Sequence, residues 1–267
     1  MPDILLIQPP VRDFYLTAKR TIPYGLACIA AALKTAGFSV DIFDSLATAK
    51  SRAVVLPAEM DYLKEYYPKP DISPFALFHH FKHFGYSFEH IGKIARESGA
   101  FLIGISSLFT AYGSEAETTA RIVKKFHPNC LVVLGGHHPT AFPEKVMECE
   151  AVDFVLRGEG EVGMPLLAKA IRNSESGIEN IPGIVFRKPD KSLHIGEPAI
   201  MDNPEDYPLP AMDLVKNSFY RRGKRGGAVI VASRGCPMKC SYCSLSSSKY
   251  RRRSVESVIR EIEIAVT

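Results

Sequence analysis

Three cysteines stand close together in Ser233-Arg234-Gly235-Cys236-Pro237-Met238-Lys239-Cys240-Ser241-Tyr242-Cys243. Their spacing is C-x3-C-x2-C, so one tight loop can turn three thiolates toward one centre. Soft thiolate ligands suit iron–sulfur clusters and zinc. Structural zinc normally takes four protein ligands, commonly as two separated pairs. Here no fourth cysteine lies nearby, and the nearest histidine, His194, is far upstream. Three ligands on a four-iron cluster leave one iron open to a substrate, which is a catalytic arrangement. A dithiol redox pair at Cys240 and Cys243, or zinc with a distant ligand, are the competing readings. Cys28, Cys130 and Cys149 are scattered through apolar surroundings and read as buried packing residues.

The elements that must carry this loop are legible in the hydrophobic pattern. Short apolar runs at 4–8, 39–43, 101–106, 131–134 and 152–156 alternate with helical patterns at 24–35, 88–98, 114–126, 143–149 and 165–173. Strands without polar alternation are buried on both faces, and strands alternating with helices form a parallel sheet. The expectation is a doubly wound α/β domain with five parallel strands over residues 1–176. An insertion at 45–87, rich in proline and aromatic residues, reads as a functional excursion such as a lid. Residues 177–223 read as a linker holding a hairpin, Ile184–Arg187 with 193–195. A new apolar run at 228–232 precedes the cysteines, and a helix over 254–265 follows them.

Composition narrows the class. The chain has 267 residues, 46% hydrophobic and 23% charged, enough for a sizeable core. The net charge of +4 gathers in Arg221-Arg222, Lys224-Arg225 and Arg251-Arg252-Arg253, which is too weak to imply nucleic acid. The arginine run reads as a solvated face. No stretch reaches the roughly 18 apolar residues of a membrane span, and the N-terminus lacks a signal peptide's basic start. A cytoplasmic protein without membrane partners is expected.

The cysteine string resembles the signature of the radical S-adenosylmethionine (SAM) superfamily, including the aromatic Tyr242 before the last cysteine. The resemblance implies that Cys236, Cys240 and Cys243 hold a 4Fe-4S cluster, with SAM chelating the open iron and Tyr242 near its adenine. It implies reductive cleavage of SAM to a 5′-deoxyadenosyl radical, with electrons from a donor such as flavodoxin or ferredoxin.

The first domain resembles the cobalamin-binding domain that precedes the radical barrel in one branch of that superfamily. The likeness rests on Pro23-Tyr24-Gly25-Leu26, on Val132-Val133-Leu134-Gly135-Gly136-His137-His138-Pro139-Thr140 and on Asp153-Phe154-Val155-Leu156-Arg157-Gly158-Glu159-Gly160-Glu161. It implies that cobalamin lies over the carboxyl edge of the sheet, touching Ser106, Ser107, Thr110, Gly135, Gly136, Glu159 and Gly160. No Asp-x-His-x-x-Gly occurs, so the usual histidine ligand to cobalt is missing. His137 and His138 read as loop residues beside the ligand edge. His79, His80 and His83 read as packing or surface residues rather than a metal site. Gly158-Glu159-Gly160-Glu161-Val162-Gly163 matches G-x-G-x-x-G, but it falls in the fifth βα unit, and its glutamates would repel a pyrophosphate.

The expected function is that of a cobalamin-dependent radical SAM enzyme, of methyltransferase type, acting on a small molecule. A cobalamin carrier or sensor, and a zinc-stabilised interaction module, are the alternatives. A partial barrel of six β/α units at ~30 residues each needs roughly 180 residues. Cys243 leaves 24 of the 267, so the chain is expected to hold only the first β/α unit of an incomplete partial TIM barrel and to cleave SAM poorly by itself.

Overall fold

The computed structural model describes the chain except residues 16–21, 66–79, 221–226, 242, 244–247 and 267, and the side chains of 217 and 266. The chain opens with β1 (Ile4–Gln8) and β2 (Val11–Asp13). These are followed by α1 (Tyr24–Thr35), β3 (Val40–Asp44), β4 (Ser51–Ala53), β5 (Lys82–Phe84) and α2 (Phe88–Ser98). Next come β6 (Leu102–Ser106), α3 (Gly113–Phe126), β7 (Leu131–Gly135), α4 (His137–Ala141), α5 (Pro143–Met147), β8 (Phe154–Leu156) and α6 (Gly160–Asn173). The last part holds β9 (Ile184–Arg187), β10 (Leu193–Ile195), β11 (Ser233–Arg234), β12 (Arg251–Arg252) and α7 (Val255–Val266).

The main sheet runs β10-β9-β8-β7-β6-β1-β3. Its five parallel strands are β3, β1, β6, β7 and β8. Successive residues on each strand feed opposite faces. Leu5, Ile7, Ile103, Ile105, Val132 and Leu134 pack with α2, α3 and α5. Ile4, Leu6, Leu102 and Val133 pack with α1 and α6. Both faces are covered, which is why these strands read as continuous apolar runs.

The sheet has seven strands rather than the expected five. The hairpin read as part of a linker, β9 with β10, joins the sheet through an antiparallel pairing of β9 with β8. A hairpin left in solution is marginal, whereas one paired to an apolar edge buries Ile184 and Val185. The 45–87 insertion supplies β4 and β5, which form a small antiparallel sheet, β2-β5-β4, with β2 from outside it. Part of it, with His79, lies outside the described residues.

Two further boundaries differ from expectation. The helix expected from Pro165 begins at Gly160, with Pro165 inside it. The apolar run at 228–232 makes no strand pairing, and the ribbon begins at Ser233, where β12 supplies a partner. A strand exists through its neighbour, and the pattern of one segment does not reveal that neighbour. No helix among the described residues is long and apolar enough to cross a membrane.

Leu134 is fully buried in the central strand β7. Leu134→Ala is expected to cost about 2–5 kcal/mol of unfolding free energy. The measurement is the urea midpoint at unchanged m-value; a loss below about 1 kcal/mol would show that β7 does not form the core.

Candidate functional site

The strand order reverses between β1 and β6, so the crevice at their carboxyl ends is where such sheets receive ligands. Ser106 ends β6 opposite Gly135, the end of β7. The Ser107 N–H donates to the Gly135 carbonyl at 2.8 Å. Gly136 has φ +123°, and a Cβ there would sit 2.4 Å from the Ser107 carbonyl oxygen. So a side chain at 136 is excluded by backbone. At Gly135 the situation is opposite: a Cβ would meet nothing closer than the Leu156 carbonyl at 3.8 Å. This stretch of the edge is bare.

Around it lie the features a large ligand could use. Ser107 is buried, yet its Oγ has no hydrogen-bond partner among the described residues. Leu108 and Phe109 are exposed on the following loop, and Phe142 is exposed after α4. Thr110 opens a 3-10 turn and is exposed. Of the residues expected at the edge, Ser106, Ser107, Gly135 and Gly136 are brought together by strand pairing.

Glu159 is spoken for elsewhere. Its carboxylate accepts a bidentate pair from Arg251, Nη1 to Oε2 at 2.8 Å and Nη2 to Oε1 at 2.9 Å. It also accepts the Met201 N–H at 2.6 Å. Glu161, in the first turn of α6, accepts from Arg234 at 2.5 Å. A third pair joins Arg253 to Glu261, and Tyr24 donates to the same carboxylate at 3.0 Å. Thus two of the pairs, Arg234–Glu161 and Arg251–Glu159, cross from the C-terminal segment to the sheet domain, while Arg253–Glu261 closes within the segment and meets the sheet domain through Tyr24. Arg251 is 8% exposed, so the run read as solvated is in fact partly buried. Arg252 alone of the three faces outward, over the Tyr250 ring. Sequence reasoning missed Arg234, Arg251 and Arg253 because their partners are, for Arg234 and Arg251, 73 and 92 residues away.

Cys236, Cys240 and Cys243 are free thiols of intermediate exposure. The Cys236 N–H donates to Ser248 Oγ at 3.0 Å, and the Cys243 N–H to the Cys240 carbonyl at 3.1 Å. Among the described residues no group of three or more His, Cys, Asp or Glu is arranged to hold a metal, these three included. The donor set itself suits a cluster: three accessible soft ligands on one loop. Tyr242 lies outside the described residues. The other cysteines are buried as expected, and burial together with the Glu161 carboxylate pushes the Cys28 thiol up to about 12.

His138 sits on a short helix rather than in a loop. It is buried, and a Cβ on Gly113 would lie 2.5 Å from its Nε2. His83 is buried edge-on to Phe88, with a ring nitrogen 3.0 Å from the Tyr86 carbonyl. Neither joins a metal cluster.

The comparisons with known proteins agree with this geometry. The B12 binding domain family matches residues 17–168. The chain belongs to that family. An uncharacterized methyltransferase of Pyrococcus horikoshii is 33% identical over 182 residues, covering 67% of this chain and 39% of its own length. The cytidylyl-2-hydroxyethylphosphonate methyltransferase of Streptomyces wedmorensis is 26% identical over 294 residues, covering 97% of this chain and 51% of itself. The chain therefore spans about half or less of these relatives. In fold it is similar to the radical SAM methyltransferase TsrM from Kitasatospora setae, solved with cobalamin and a [4Fe-4S] cluster. That match has a TM-score of 0.63 at 18% identity, over 99% of this chain and 47% of TsrM.

Burial lowers the pKa of both His83 and His138 from the ordinary 6.5. A histidine lowered on folding contributes stability above 6.5, and that stability is lost as pH falls through 6.5 toward the lowered values. The urea midpoint should fall between about pH 7.5 and 5.5, and less steeply in His138→Gln. An identical slope in the variant would show that His138 is not held neutral by the fold.

Proposed function

We propose that this chain is the cobalamin-binding part, and the cysteine-bearing start, of a cobalamin-dependent radical SAM methyltransferase acting on a small molecule. The observation that carries this reading is the junction itself. A sheet edge of the B12-binding type and a C-x3-C-x2-C loop share one chain and are joined by buried ion pairs.

In this reading residues 1–176 bind cobalamin, 177–223 connect, and 224–267 begin the partial barrel. Cobalamin would lie over Ser106, Ser107, Thr110, Gly135, Gly136 and Gly160, with the bare face of Gly135 admitting the corrin and the buried Ser107 Oγ offered to it. Glu159 would then act on the corrin side only through the backbone, since its carboxylate belongs to Arg251. Cys236, Cys240 and Cys243 would hold the 4Fe-4S cluster, and Tyr242 would lie against the SAM adenine. When bound, the cluster supplies one electron to SAM, and cobalamin supplies a methyl group. A flavodoxin or ferredoxin would deliver the electron, in the cytoplasm.

What the chain's own residues do follows from their surroundings. The Cys236 N–H donates to Ser248, which ties the backbone at the first cysteine to the far side of the loop. Gly235 has φ +81°, and a Cβ there would lie 2.1 Å from the Lys249 carbonyl, so the approach to Cys236 tolerates no side chain.

The test is anaerobic reconstitution with iron, sulfide and hydroxocobalamin, followed by absorption spectroscopy and metal analysis. Wild type should carry about four irons per chain and retained corrinoid. Cys240→Ser should lose most of the iron and keep the corrinoid. Gly135→Val, whose Cβ would meet only the Leu156 carbonyl at the ordinary contact distance of 3.8 Å, should fold, keep the iron and lose the corrinoid. Corrinoid retention without iron in wild type would leave a cobalamin carrier; bound zinc with neither chromophore would sink the reading.

A further inference from the structure

We propose that Gly158-Glu159-Gly160-Glu161 is a latch that positions the cysteine loop against the carboxyl edge of the sheet, making order in one depend on order in the other. The inference rests on the preceding reading for what the loop and the edge bind, but not for the latch itself.

The ribbon that closes the cysteine loop consists of β11 and β12, and Arg234 pairs directly with Arg251 in its register. Directly opposed residues of an antiparallel pair project to the same face. The two guanidiniums therefore leave the ribbon together, one from each strand. They are received by two carboxylates one residue apart, Glu161 for Arg234 and Glu159 for Arg251. Both strands at the base of the loop are gripped at once, two residues before Cys236 and eight after Cys243.

The glycine that precedes these carboxylates serves the same geometry. Gly158 has φ +82°, and a Cβ there would fall 2.1 Å from the Ala199 carbonyl. The Thr140 Oγ1 accepts its N–H at 2.9 Å, and Thr140 in turn donates to the Gly136 carbonyl at 2.7 Å. The Glu159 N–H donates to Ala199 at 2.9 Å. Hydrogen bonds thus link Gly136 at the ligand edge through Thr140 to Gly158, whose neighbour in the chain, Glu159, holds Arg251 at the base of the loop. Three of the latch's charged members are largely buried, with side-chain exposures of 7% for Arg251, 15% for Glu159 and 6% for Glu161, while Arg234 is 28% exposed. Exposed ion pairs contribute little, but unpairing a buried one leaves an uncompensated charge. Glu159, Glu161, Arg234 and Arg251 are accordingly positioning residues.

The experiment is hydrogen exchange by mass spectrometry on the full chain, with and without hydroxocobalamin, alongside iodoacetamide labelling of Cys236, Cys240 and Cys243. The variants are Glu161→Gln, Arg251→Lys and the reversed pair Glu161→Arg with Arg234→Glu; Glu89→Gln, on the exposed face of α2, is the control. Glu161→Gln and Arg251→Lys should speed exchange at 233–236 and 248–253 by about tenfold or more, with β6 and β7 unchanged. Labelling of the three thiols should accelerate with it, and the reversed pair should recover part of the protection. Hydroxocobalamin should slow exchange of the ribbon in wild type and not in Glu161→Gln. Unchanged local exchange and labelling in both single variants would overturn the latch. A ribbon indifferent to bound corrinoid in wild type would overturn the coupling. Should Glu161→Gln loosen β6 and β7 as well, Arg251→Lys, which keeps the charge and loses the fork, decides. Wild type that retains no corrinoid would sink the cofactor reading, and the latch would then stand or fall on the exchange without it.

Discussion

A parallel sheet has to be covered on both faces, and this constraint fixes where anything else can happen. With α1 and α6 on one side and α2, α3 and α5 on the other, the apolar strands of this chain are closed to solvent. What is left open is the row of loops at the carboxyl ends. There the chain abandons large side chains near the sheet and uses Ser106, Ser107, Gly135 and Gly136. The backbone at Gly136 lies too close to Ser107 for any side chain, while a Cβ at Gly135 would make only an ordinary contact with the Leu156 carbonyl. Close backbone packing and an open face side by side make an edge shaped for a broad ligand.

The second constraint is electrostatic. Two ion pairs, Arg234–Glu161 and Arg251–Glu159, hold the C-terminal segment to the sheet domain, and a third, Arg253–Glu261, closes within the segment beside them. A single uncompensated member would be costly there, so the segment is held in one register or not at all. Such pairs contribute specificity of placement more than net stability. The same two glutamates that make the segment unsuited to a pyrophosphate make it suited to arginine.

The cysteine loop and its ribbon illustrate the difference between donor chemistry and donor geometry. Three part-exposed thiols on a short loop are chemically right for iron. In the protein by itself they are not arranged around a metal. Ligand loops of this kind commonly reach their final geometry with the metal, because binding and local folding share one free energy.

The sequence by itself determined the five parallel strands, the two-sided burial and the cysteine triad, because each is written in local periodicity or spacing. Residues 4–8 and 101–106 read as buried strands without any partner being known. Local pattern also exposed the glycines of the edge. What only the tertiary structure decided are matters of partnership. The hairpin at 184–195 reads alike whether it stands alone or joins the sheet, since pairing depends on the edge of β8. The run Arg251-Arg252-Arg253 reads as a solvated face, since Glu159 lies 92 residues from Arg251, and a spacing of eight between Arg253 and Glu261 is not a neighbour pair on one helix. Glu159 looked like a residue for the ligand edge and became a residue for an arginine 92 positions away. Periodicity reports which face of an element is buried; it carries no record of what lies against that face.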